Sequence, residues 1–340
     1  MKTDAASLAK IDLHLHLDGS FSPETLLELA KERGVSMPAE NAADYRAYIR
    51  RGAECGSVNE YLRLFDAPLQ VMQDAAALRR ITGELIALLA SQGLVYAEIR
   101  FAPQLHTKKG LTQRQAVEAV LEGRRQALSA CPDLQIGILL CMMCIGPETA
   151  NWDANAQTVE LAKEFLGQGV AGLDLAGAEG IVPLKNFAPL FRRAGELRIP
   201  FTCHAGDSQG PETVRDAMDF GARRIGHGHH IVLDPALCRR AAEGKIALEI
   251  CPTSNIQCRT QPSYAAHPAK RLLEMGIPVT INTDNMTLAG VSLADEYGRC
   301  VREMGFSREE VLLVGENAAR AAFLPEEDKS ALLKKIRACL

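Results

Sequence analysis

The chain predicts an α/β fold, a (β/α)8 TIM barrel with a helical insertion after the first strand, and three observations carry that reading. From residue 94 onward, short apolar runs of β-forming residues are each followed by a helical pattern, the alternation of a parallel sheet. Those runs are nearly continuous in apolar character, as expected of strands covered on both faces. A length of 340 residues accommodates eight such units and an insertion.

The first strand, residues 11–19, reads Ile-Asp-Leu-His-Leu-His-Leu-Asp-Gly, with apolar and polar side chains alternating at period two. His14 and His16 therefore share one side, about 7 Å apart along the strand. Ser22 and Pro23 read as the cap and first position of a helix over 25–33 that stops near Gly34. Residues 38–92 hold no inner strand. They read as helices at 57–69, with Val58, Tyr61, Leu62 and Phe65 on one face, and at 75–90. An excursion of that size between two barrel strands is a natural lid or pocket wall. The remaining strands are expected at 94–101, 135–144, 170–175, 199–204, 223–227, 246–250 and 279–283, with closing helices over 307–340. No linker, low-complexity block or charge run divides the chain, so one catalytic barrel spanning 1–340 is expected.

Composition narrows the partners. The chain is 47% apolar and 24% charged, ordinary for a globular protein. Its net charge of −4 and scattered basic residues argue against a nucleic-acid or membrane-surface partner and leave a small molecule. There is no apolar stretch of spanning length and no signal-like run before residue 10. Ten cysteines spread through the chain read as reduced, space-filling thiols of a cytoplasmic protein. Cys141 and Cys144 form a CxxC, but strand positions three apart face opposite ways, so the pair reads as filler. Nothing here fixes the oligomeric state.

Barrel active sites lie at the carboxyl ends of the strands. Those ends carry His14, His16, Gly177, His204, His227 and Asp284. A single strand-end histidine is more often structural; four with an aspartate at one mouth are a different matter. His14, His16, His204 and Asp284 offer three imidazole nitrogens and a carboxylate to a divalent ion such as zinc. Such an ion would bring the pKa of a water toward neutrality, and His227 and Asp207 remain to move protons. This is equipment for metal-assisted hydrolysis at an electrophilic carbon. His229 and His230 belong to the loop after the sixth strand and have no assigned role. His106 and His267 are expected at ordinary surface or loop positions.

The motifs Asp12-Leu-His-Leu-His-Leu-Asp-Gly19, Leu175-Ala-Gly177, His204-Ala-Gly206, Arg224-Ile-Gly-His-Gly228, Cys251-Pro-Thr-Ser-Asn255 and Asn282-Thr-Asp284 occur in one order over nearly the whole chain. Together they resemble the adenosine deaminase family. The resemblance implies a barrel of the metal-dependent hydrolase type holding one zinc ion, and hydrolytic removal of the purine 6-amino group to give inosine and ammonia from adenosine. It implies His14, His16, His204 and Asp284 as zinc ligands. His227, assisted by Asp284, would orient the attacking water and help accept its proton. The Gly177 N–H would meet purine N3, Asp18 the ribose 5′-hydroxyl, and Asp207 would protonate N1.

Two departures from the family pattern stand out. Asp207 replaces the usual Glu, a carboxylate shorter by about 1.5 Å, and a misplacement of about 1 Å costs on the order of 100-fold in rate. Asn285 stands where many relatives carry Asp, yet its N–H2 still offers a donor to purine N7. Related substrates (adenine, N6-methylated adenine nucleotides, 6-aminodeoxyfutalosine) fit the same motifs. Rival readings are a barrel hydrolase acting on an amide or ester, and a non-enzymatic purine-binding barrel. The HxE and PCxxC signature of cytidine-type deaminases is absent.

Overall fold

The computed structural model describes residues 8–146 and 150–338; Cys339 lies outside them. Its strands are β1 (Lys10–His16), β2 (Leu94–Phe101), β3 (Gln135–Cys144), β4 (Val170–Gly177), β5 (His204–Ala205), β6 (Arg224–His227), β7 (Ala247–Ile250) and β8 (Val279–Ile281). All neighbours pair in parallel and in chain order, β1 to β4 in one sheet and β5 to β8 in another. Single bridges join the two halves at both seams, Leu15 with Asp284 and Leu173 with Phe201. At the first seam the Asp284 N–H donates to His14 O at 2.8 Å and the His16 N–H to Asp284 O at 2.7 Å. The peptide of a candidate metal ligand thus stitches β8 to β1 between two others. The architecture is the α/β barrel expected from the alternating pattern, and strands β2 and β3 fall where the apolar runs put them.

The helix Pro23–Arg33 begins as its sequence dictates. The Ser22 side chain accepts from the Thr25 N–H, Pro23 occupies the first turn, and Gly34 closes the helix at φ 62°. Residues 38–92 are helical, but 57–69 is not one helix. An α-turn at Val58–Tyr61 passes into a 3-10 turn at Leu62–Phe65 and then a short helix at Asp66–Val71. Pro68 has no N–H to give the preceding turn, so a continuous α-ladder cannot run through this stretch. The strand expected at 199–204 is similarly cut short. Pro200 cannot donate, and only Phe201 bridges to β4 before the His204–Ala205 pairing begins.

Cys141 and Cys144 do point apart. Cys141 packs with Ala102 and Ala176, whereas Cys144 joins the main core, and burial pushes both thiols up. Two histidines correct the sequence reading: His106 and His267 are buried, not surface residues. In each a backbone group meets Nδ1, the His106 Nδ1–H donating to Met72 O at 2.9 Å and His267 Nδ1 accepting from the Ala269 N–H at 3.1 Å. Among the described residues, no helix is long and apolar enough to cross a membrane.

Burial lowers the His106 pKa from 6.5 to about 4. The fold therefore holds the neutral ring, and stability is lost as pH falls from the unfolded value toward the folded one, by about 3 kcal/mol for this group. Chemical denaturation of wild type and His106→Gln, side by side at pH 7 and pH 4.5, should show the variant losing less stability on acidification.

Candidate active site

His14 and His16 project from the carboxyl end of β1, His204 begins β5, and Asp284 follows β8. The strand pairing brings them to one point. His16 Nε2 and His204 Nε2 lie 3.3 Å apart, and Asp284 Oδ1 lies 3.4 Å from His16 Nε2 and 3.6 Å from His14 Nε2. Donors about 2.0–2.1 Å from a tetrahedral metal are separated by about 3.3–3.4 Å, so these spacings fit a shared divalent ion. The buried His14 Nε2 has no hydrogen-bond partner, which such an ion would supply. A second grouping, His14, Cys251 and Asp284, also converges. Its thiol sits 3.4 Å from Glu249 O, in the position of a donor, and burial pushes it far above the usual thiol range. The histidine set is the better ligand set.

What aims the imidazoles lies behind them, inside the barrel. His14 Nδ1 meets Glu249 Oε2 at 2.9 Å, and His204 Nδ1 meets Asp174 Oδ2 at 3.0 Å. Protons on those Nδ1 atoms would leave both Nε2 lone pairs free for an ion. Arg100 ties the two carboxylates together, at 2.8 Å from Asp174 and 2.9 Å from Glu249. Arg224 adds a 2.6 Å bond to Glu249 and a second to Glu98. Burial works to raise the Glu249 pKa, yet Arg100 and Arg224 hold it well below the usual carboxylate range. Burial likewise opposes charge on His204, but Asp174 beside it raises the pKa of that ring. The sequence reading missed Asp174, Glu249 and Arg100. The signal was present: each is a charged residue inside an otherwise apolar strand, which a core tolerates only when paired.

His227 and Asp284 share an unusual backbone, φ 59° in both. Left-handed conformations are rare outside glycine and concentrate at functional sites. Here they turn both side chains off the strand ends into the mouth. Asp207 is 8% exposed, and its Oδ1 accepts from Asn255 Nδ2 at 2.8 Å and Thr260 Oγ1 at 2.9 Å. Both bonds fall on Oδ1, leaving Oδ2 for a ligand.

The loop bearing Asp207 is clamped by Glu179, which the sequence reading also missed. Its carboxylate accepts from the N–H groups of Gly206 (2.6 Å), Asp207 (3.0 Å), Ser208 (2.7 Å) and Gln209 (3.1 Å), and from the Thr213 hydroxyl at 2.7 Å. From the other side, His230 meets Gln209 O at 2.9 Å through Nδ1. His230 thereby acquires a role, latching the Asp207 loop. His229 is fully buried beneath it, 3.8 Å from Asp207 Oδ1.

Around these groups lies a cavity of about 60 Å³, lined by Tyr61, Phe65, Gly177, Asp207, His227 and Asn285 among others. Gly177 has φ 107°, and a Cβ there would sit 2.6 Å from Cys144 O, so only glycine brings this backbone to the cavity edge. The Asn285 amide oxygen packs against Gly19, where a Cβ would lie 1.9 Å from it, which leaves the N–H2 end for a ligand. Asp18 lies just after β1, which ends at His16, and lines a small adjoining cavity with Gly19, Phe21 and Tyr45. Its Oδ1, the Tyr61 hydroxyl and Asn285 Oδ1 are buried without a hydrogen-bond partner. A larger hollow, about 830 Å³, is at the opposite end of the barrel, by the starts of β3, β4, β6 and β7, and holds none of these residues. Chemistry, not volume, locates the site.

Two expectations test this arrangement. Glu249→Gln should weaken metal binding by about 10- to 100-fold, measured by competition with a chelator; unchanged affinity would leave Glu249 no part in aiming His14. Glu179→Gln places amide hydrogens among four N–H donors, so the Asp207 loop should shift and turnover fall by about 10- to 100-fold at constant metal content. Full turnover in that variant would show that the loop is held by other contacts.

Comparison with known proteins agrees with this geometry. The adenosine deaminase family description matches residues 9–339. An adenosine deaminase of Haemophilus ducreyi is 41% identical over 335 residues, 98% of this chain and 96% of that protein. Among solved structures, the Arabidopsis N6-mAMP deaminase superposes with a TM-score of 0.85 at 29% identity, covering 98% of this chain and 99% of that one. An adenine deaminase of Arthrobacter aurescens gives a TM-score of 0.88, with 98% and 99% covered, at 24% identity, a likeness of fold alone. The chain belongs to the adenosine deaminase family.

Proposed function

We propose that this chain is a zinc-dependent hydrolase that converts adenosine and 2′-deoxyadenosine to inosine and 2′-deoxyinosine with release of ammonia. The observation that carries the reading is the convergence, at one barrel mouth, of three histidines and an aspartate at metal-ligand spacing with a separate carboxylate, Asp207, held ready beside them. His14, His16, His204 and Asp284 would hold one zinc per chain. Zinc supplies a Lewis acid that makes a hydroxide nucleophile available near neutral pH.

The chain's own groups do the rest. Asp207, through Oδ2, donates a proton to purine N1, which draws electron density from C6 and opens it to attack. The Gly177 N–H bonds purine N3 and the Asn285 N–H2 bonds N7, which together fix the base in its plane. His227 and Asp284 flank the position of the attacking water, one to orient it and one to take its proton. Asp18, with an unpartnered buried oxygen, is the candidate for the ribose 5′-hydroxyl.

The cavity favours a nucleoside over a nucleotide. None of its lining residues is Lys or Arg, and a phosphate is ordinarily met by such cations. Its volume of about 60 Å³ is far below the about 300 Å³ and more of small-molecule sites. The segment that carries Val58, Tyr61, Leu62 and Phe65 over the mouth therefore acts as a lid that opens for substrate. The nine described cysteines are all free, which suits work in the reducing cytoplasm.

Purified protein with zinc should deplete the ultraviolet absorbance of adenosine and release ammonia; no turnover with adenosine, deoxyadenosine, adenine or N6-methyl-AMP would sink the deaminase reading. Asp207→Ala should abolish turnover while metal content stays at one per chain. An unaffected rate would mean that another group protonates N1.

A further inference from the structure

We propose that Asn255 and His267 form a hydrogen-bond relay that fixes the tautomer of His227, so that the neutral ring presents its Nε2–H, a donor, to the reacting groups. The proposal rests on the hydrolytic reading of the site for its consequence, though not for its geometry.

The outer end of the relay sets its direction. The Ala269 N–H donates to His267 Nδ1 at 3.1 Å, so that nitrogen carries no hydrogen. Burial pushes the His267 pKa down to about 3; the ring is neutral near pH 7 and its one hydrogen sits on Nε2. His267 Nε2 lies 3.1 Å from Asn255 Oδ1, and the amide oxygen is therefore the acceptor. The other end of the amide, Nδ2, has two hydrogens and two neighbours: Asp207 Oδ1 at 2.8 Å and His227 Nδ1 at 3.0 Å. The carboxyl leads to the same orientation independently, because Asp207 Oδ1 also accepts from Thr260 Oγ1 and so faces an amide donor rather than the amide oxygen, with or without a proton on Oδ2.

An amide donor aimed at His227 Nδ1 requires a lone pair there. The hydrogen of the neutral ring then sits on Nε2, the nitrogen left for the cavity. His227 accordingly holds the attacking oxygen by donating to it, and Asp284 is the group that takes the water's proton. The same amide holds Asp207, so one buried side chain, fully enclosed in the fold, positions both the acid and the orienting histidine. Asn255 and His267 are positioning residues.

Nitrogen NMR of the zinc-loaded enzyme with 15N-labelled histidine reads the tautomer directly, with His227→Gln assigning the resonances. The expected pattern for His227 is an unprotonated Nδ1 and a protonated Nε2. Asn255→Asp, which places an acceptor against the ring, should reverse it. His267→Leu should blur it by freeing the Asn255 amide to turn, and lower kcat by about 10-fold or more with little change in KM. His267→Gln, which restores a donor to Asn255 Oδ1, should recover the wild-type pattern. A protonated Nδ1 in the wild type, or an unchanged pattern in both Asn255→Asp and His267→Leu, would overturn the relay. The wild-type pattern in a protein that deaminates no 6-aminopurine would uphold the relay and reject the proposed reaction instead.

Discussion

Arg100 lies fully buried at the centre of the barrel and joins the two carboxylates that meet the Nδ1 atoms of the candidate ligands His14 and His204. Much of the site depends on that one guanidinium. Asp174 and Glu249 come from strands in different halves of the barrel, and each orients a histidine from another strand. Without Arg100 the two carboxylates would be like charges in a dry interior, and removing one partner of such a network typically costs about 3–5 kcal/mol. Arg224 extends the network to Glu98 and covers the Phe323 ring at 3.7 Å, which ties it to the residues that close the far end. Three carboxylates against two guanidiniums leave one negative charge in excess. That excess suits a site whose remaining partner is a divalent cation.

The barrel's closure and its chemistry use the same atoms. The peptide of Asp284 pairs with β1 between His14 and His16, so these candidate ligand positions are fixed by main-chain hydrogen bonds rather than by flexible loops. The more mobile kind of structure, a loop, carries Asp207, and it is here that the side chain is one methylene shorter than the family pattern. The fold answers with contacts to the loop itself: Glu179 beneath its N–H groups, His230 on Gln209 O, Asn255 and Thr260 on the carboxylate. A short acid on a well-held loop can meet the precision that a longer one reaches by side-chain length alone.

How much of this was legible in the sequence follows physical lines. The long inner strands were, because a buried parallel strand must be apolar almost throughout; β2 and β3 match to the residue. The two-residue β5 was not, since Pro200 offers only its carbonyl to β4 and a single bridge at Phe201 precedes the His204–Ala205 pairing, which no local signal reports. The histidines and Asp284 were visible because they stand at strand ends, where polar residues interrupt apolar runs. His106 and His267 were misjudged because burial of a histidine depends on backbone partners distant in sequence or fixed by a turn, such as Met72 O and the Ala269 N–H. Glu179 lay two residues beyond a motif glycine with nothing in composition to mark it.

The network of buried charges would present three imidazoles and one carboxylate to a single zinc ion, and X-ray absorption at the zinc edge of the purified protein measures those neighbours. The expected result is one zinc per chain with only nitrogen and oxygen neighbours, at about 2.0–2.1 Å. A sulfur neighbour at about 2.3 Å, which would bring Cys251 into the ligand set, or the absence of stoichiometric metal, would contradict it.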